Sequence, residues 1–191
     1  MSHPKNATKA VALAAGLIGW SFVTPRIPMP WRVPVQAGVG GLLVLATRAA
    51  VGLRPPRLWA GLRLGLPTAA AGATAVTAST AVPAVRVVMS TRDVPESALG
   101  WLALHIPLGT VWAEEAAFRA ALPAAAGAFG STGARLLQAV TFGLSHIADA
   151  RGTGEPVAPT VLVTGIAGWL FGWLADRSGS LAAPMLAHLA I

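Results

Sequence analysis

Three ionisable side chains sit together in an otherwise apolar run, 98–126: Glu114, Glu115 and Arg119. Near the centre of a bilayer each such group costs roughly 2.5–3.5 kcal/mol on insertion scales, so a chain that keeps them there has a partner, a watered cavity or a function for them. In an α-helix Glu115 and Arg119 are four residues apart and pair on one face, while Glu114 points about 100° away without a partner in its own helix. Two later histidines can meet it: His146, four residues after Phe142, and His188, four after Pro184. Apolar neighbours put both imidazoles within membrane-embedded helices, so three helices are expected to converge on one polar pocket.

A glutamate and two histidines supply the parts for hydrolysis by activated water. The carboxylate takes a proton, one histidine positions the water, and another donor steadies the oxyanion. The same trio, Glu114, His146 and His188, could instead hold a divalent metal such as zinc that acidifies the water. These residue types leave both routes open, and no other cofactor is implied.

Positioning such groups takes several helices, and the chain has the material for them. Apolar stretches run over 7–23, 35–53, 67–89, 98–126, 135–147, 157–174 and 181–191. Only helices satisfy their own backbone groups in lipid, so the expected fold is all-α, a polytopic transmembrane bundle of about seven helices in one membrane-embedded domain, 1–191. The seventh run has about half of the roughly 20 residues a full span needs and reads as a helix cut short. Pro-rich and Gly-rich punctuation at 25–34, 54–56, 130–133 and 151–156 marks the connectors, and 54–63 reads as an interfacial segment. The small residues of 69–75 let helices approach closely.

Composition agrees with a lipid environment. Of 191 residues 54% are hydrophobic and 11% charged, against about 25% charged in soluble domains. The net charge of +7 comes largely from arginines in short connectors, Arg26, Arg32, Arg48, Arg54, Arg57 and Arg63. There they face lipid head groups, and nucleic acid is not an expected partner. The denser basic connector, 48–63, falls on the same side as the N-terminus, which favours a cytoplasmic N-terminus, with Arg26 and Arg32 pulling the other way. Lys5 and Lys9 before the first run resemble a signal-peptide start, but no small-x-small cleavage site follows, so the run reads as a retained span. With no cysteine, disulfides, Cys-ligated metals and thiol nucleophiles are excluded. Abundant Ala, Gly, Pro and Arg point to a GC-rich, bacterial source and so to the plasma membrane.

The order Glu114-Glu-x-x-x-Arg119, then Phe142-x-x-x-His146, then His188 on the last apolar run resembles the CPBP family of intramembrane proteases, also called Abi. That family groups the CAAX-type prenyl-protein endopeptidases with bacteriocin-processing and bacteriocin self-immunity proteins. The resemblance covers about 99–191, the half that would be catalytic. It implies Glu114 as general base, Glu115 with Arg119 orienting it, His146 helping to activate the water, and His188 binding the oxyanion or a metal. The family's last motif continues to an Asn or Asp four residues after the histidine, which would be position 192, one beyond Ile191. A peptide or membrane-anchored protein is the implied substrate. Bacteria generally lack prenylated CAAX proteins, so the family name does not supply it.

Phe142 is expected under the site, in the substrate pocket. His105 reads as a packing or interfacial histidine, Asp149 and Asp176 as interfacial acids at span ends, and Trp112, Trp169 and Trp173 as bundle or belt aromatics. Other protease designs are excluded by inspection: there is no His-Glu-x-x-His helix, no Gly-x-Ser-x-Gly elbow and no tyrosine for a Tyr-Asp aspartyl site. Two rivals to an endopeptidase remain. One is a non-catalytic immunity or partner-binding protein keeping the same residues for structure. The other is a small transporter using them as a proton relay, which fits the ionisable groups but not the motif spacing.

Overall fold

A computed structural model describes residues 3–91 and 95–191; the side chain of Lys5 lies outside the described residues. Among these the chain is helical, with no strand. α1 spans His3–Val23, α2 Met29–Thr47, α3 Arg57–Ser79 and α4 Pro83–Ser90. α5 is continuous over 98–125. α6 spans Gly130–Ser145, α7 Ile147–Thr153, α8 Val157–Ser178 and α9 Ala182–Leu189.

Two single helices are long and apolar enough to cross a membrane, counted over Asn6–Arg26 and Val157–Ser178; α3 and α4, bent by 93°, add a third if the pair is one span. This is fewer than the seven expected. α6 has 16 residues, α7 has 7 and α9 has 8, all short of the roughly 20 that span a bilayer.

Several boundaries differ from expectation, each for a local reason. α2 begins at Met29 and takes in part of the segment read as a connector. Pro30 lies in its first turn, where the missing N–H has no helical partner to lose, and Pro34 is carried inside the helix. α3 begins at Arg57, so most of the segment read as interfacial is already helix, with Pro56 as its N-cap. The glycines of 130–133 open α6 rather than lie before it. Gly130, at φ 69°, has a backbone conformation a side chain would strain.

α5 is unusually wound. Trp101–Trp112 and Glu115–Ala121 are π-helical, with ordinary turns between and around them. Pro107 inside the first stretch gives no N–H to the helical ladder. From Glu115 through Leu122 every residue is buried, and four of these eight are alanine, so neighbouring helices close directly onto the backbone.

Glycines set the other contacts. A Cβ at Gly143 of α6 would sit 2.6 Å from the Val161 carbonyl of α8, and one at Gly65 of α3 would sit 2.8 Å from the Ala183 Cα of α9. The second contact brings α9, and with it His188, onto the bundle. One apolar core, Ala14, Leu17, Ala117, Phe118, Leu122 and Phe142, joins α1, α5 and α6. Another, Phe171, Leu174, Ala183 and Ala187, joins α8 to α9.

Candidate active site

Glu115 is fully buried, and its Oε2 lies 3.3 Å from Arg119 Nε, a pair sealed from solvent on both sides. None of the three guanidinium nitrogens has a hydrogen-bond partner among the described residues. Rings take that place: the guanidinium carbon lies 3.9 Å from the Phe142 centroid, 5.1 Å from that of Phe171 and 5.8 Å from that of Phe118. A desolvated cation over an aromatic face gains about 2 kcal/mol or more. Stripping an ion of water costs several, so the rings and the Glu115 charge must act together to keep Arg119 where it is.

The other oxygen of Glu115 reaches across to α9. His188 Nδ1–H donates to Glu115 Oε1 at 2.8 Å, and the ring's Nε2 lies 3.8 Å from Glu114 Oε2. Glu114 therefore has a neighbour, but not in its own helix. Glu114 lies in the ordinary turn between the two π-helical stretches and Glu115 opens the second, and the two adjacent glutamates meet different nitrogens of one imidazole. Phe171 stacks on His188 at 5.1 Å with an interplanar angle of 26°.

His146 is not inside a helix, as expected, but at the joint between α6 and α7, with φ −84° and ψ 0°. Its Nδ1–H donates to the Phe142 carbonyl at 2.8 Å. That bond fixes the tautomer and leaves Nε2 as an acceptor. The four-residue spacing thus has a physical use, since the i−4 carbonyl at the helix end is free to accept. The Phe142 ring packs edge-on against His146, 4.7 Å away, and lies under Arg119.

Glu114, His146 and His188 line one cavity of about 330 Å³, together with residues of α1 and α2. Glu115, Arg119 and Phe142 do not line it; they stand behind it, Phe142 being 2% exposed. Asp149, read as interfacial, is on the cavity wall. His105 is elsewhere, stacked on Trp101 at 3.9 Å. Asp176 is an exposed partner of Arg135 at 2.7 Å, and Arg135 also lies 5.2 Å from the Trp169 ring. Phe118 and Phe171 were not anticipated, because a phenylalanine in an apolar run carries no signal that separates a cation's neighbour from packing.

Among the described residues no three His, Asp or Glu side chains gather as a ligand set for the divalent metal expected at Glu114, His146 and His188.

The family model for type II CAAX prenyl endopeptidase Rce1-like proteins matches residues 96–191. The match begins just before α5 and takes in Glu114, Glu115, Arg119, Phe142, His146 and His188, leaving α1 to α4 outside. No curated protein matches the chain, and no solved structure does.

Proposed function

This chain belongs to the type II CAAX prenyl endopeptidase Rce1-like family, a family of membrane proteases, and on that premise we propose that it is a glutamate-dependent intramembrane endopeptidase. Its substrate is a peptide or membrane-anchored protein, and 99–191 is its catalytic half. A water between Glu114 and His146 Nε2 gives a proton to the Glu114 carboxylate as its oxygen attacks the peptide carbonyl carbon. The carbonyl oxygen takes the electron pair and is steadied by His188 Nε2–H, the imidazole then carrying protons on both nitrogens with Nδ1–H held by Glu115. When the intermediate collapses the C–N bond breaks, and Glu114 returns its proton to the leaving amine. Glu115 acts through His188, and Arg119 acts through Glu115. The remaining apolar helices hold this constellation in a multi-pass bundle.

One observation supports this assignment over a purely structural role: Glu114, from α5, shares a cavity with histidines from two other elements. The test is cleavage of a quenched fluorescent peptide library by the purified chain in nanodiscs, as wild type and Glu114→Gln, each with and without a strong chelator. Cleavage by wild type alone, indifferent to chelator, is the expected result. Cleavage abolished by chelator would put a metal in the mechanism. A folded wild type that cleaves nothing would return the chain to the immunity or partner-binding reading.

A further inference from the structure

The cavity has two unlike walls. α5, the α6–α7 joint and α9 supply Glu114, His146 and His188, whereas α1 and α2 supply Leu17, Trp20, Val39 and Leu43. A peptide drawn against that second wall leaves water behind, and each main-chain carbonyl without a donor then costs several kcal/mol. The hydroxyls there are already committed. Ser21 donates to the Ile18 carbonyl and Thr24 to that of Ser21, while across the cavity Ser145 donates to Phe142.

Gln36, on α2, is different. It lines the cavity, and among the described residues its side chain has no hydrogen-bond partner, its Oε1 being buried without one; Nε2 is then the end of the amide left to meet a ligand. Its place relative to the catalytic groups is fixed by close contacts before and after it. Val33 packs against Gly109, Trp112 Nε1–H donates to the Ala37 carbonyl at 3.2 Å, and a Cβ at Gly40 would lie 3.1 Å from the Cα of Ala113, the residue before Glu114. Gln36 is thus held rigidly against α5 with its amide donors unused, on a helix outside the matched 96–191.

We propose that Gln36 is a substrate-binding residue whose Nε2–H donates to a main-chain carbonyl of the bound peptide. This rests on the protease reading and adds to it how the peptide is held. The side chain recognises backbone, so it aligns the chain across the cavity without selecting a residue type. Loss of the donor weakens binding of substrate and transition state alike, which raises KM and leaves kcat unchanged.

The experiment uses the full chain in nanodiscs with a peptide that wild type cleaves, and compares wild type, Gln36→Met, Gln36→Glu and Glu114→Gln, with thermal unfolding measured for each. Gln36→Met should raise KM about five- to tenfold, the scale of one net hydrogen bond, with kcat within about twofold. Replacing substrate carbonyls one at a time by thiocarbonyls, which accept poorly, should find one position that costs wild type a similar factor and costs Gln36→Met nothing further. Gln36→Glu keeps length and polarity, has no donor when ionised, and carries the test at alkaline pH if the methionine variant does not fold. A wild-type KM in the folded variants, a loss confined to kcat, or thiocarbonyl penalties equal in both proteins would overturn the proposal. If Glu114→Gln is inactive while Gln36→Met behaves as wild type, only the role of Gln36 falls. If wild type and Glu114→Gln cleave equally, the protease reading falls and takes this with it.

Discussion

The two sides of α5 carry the same kinds of charge under opposite conditions. Behind the helix, Glu115 and Arg119 are sealed, with rings from α5, α6 and α8 around the cation. In front, Glu114 keeps 29% of its side-chain surface exposed and shares a cavity with two histidines. Sealing makes a charge expensive to disturb and unable to meet a substrate; openness does the reverse. One helix can therefore hold both a brace and a reactive group at neighbouring positions, provided that its winding turns them both towards the same imidazole.

That contrast breaks if the front behaves like the back. Glu114→Gln should lower kcat/KM by about 10²- to 10⁴-fold, the usual contribution of a general base, with an unfolding midpoint close to wild type. A large loss of stability would put Glu114 among the braces. Arg119→Met should destabilise by about 3–5 kcal/mol, because it leaves Glu115 buried without its counter-charge. Adding Glu115→Gln should recover much of that, since two contacting residues do not act additively; denaturant titration in mild detergent measures both. Phe171→Leu removes a ring from both Arg119 and His188 and should cost about 1 kcal/mol, with a several-fold fall in turnover as the imidazole loosens. Asp176→Asn, at the exposed Arg135 pair, should change stability by less than about 1 kcal/mol. It is the control for charge removed where neither sealing nor chemistry is at stake.

What the residues disclosed beforehand follows the same division. Charged groups and histidines stand out in apolar runs because lipid makes them costly, so Glu114, Glu115, Arg119, His146 and His188 could be singled out before any contact was known. Their surroundings could not, since Phe118, Phe171 and Gln36 look like ordinary members of a membrane helix. The all-helical class was legible from composition, but the count of spans was not: apolar runs do not show where a chain bends, as between α3 and α4, or ends a helix, as at His146. The winding of α5 was hidden too. A period of 3.6 residues was assumed for 98–126, whereas two stretches of the helix are π-wound, the second of them opening directly after Glu114.

Gly40 has a consequence for how this protein can change over evolutionary time. Its missing side chain lets α2 lie directly on α5 beside Glu114, and α2 is outside the part of the chain that the family model matches. A methyl group there would meet the Ala113 Cα at 3.1 Å and its carbonyl oxygen at 3.2 Å, so α2 and α5 would have to part by a few tenths of an ångström beside the cavity. The width of the cavity is therefore set in part on α2, while Glu114 and the two histidines that share the cavity stand on other elements. Under the proposed function, a substitution on that one lining helix changes what the cavity admits and keeps the residue types on the opposite wall.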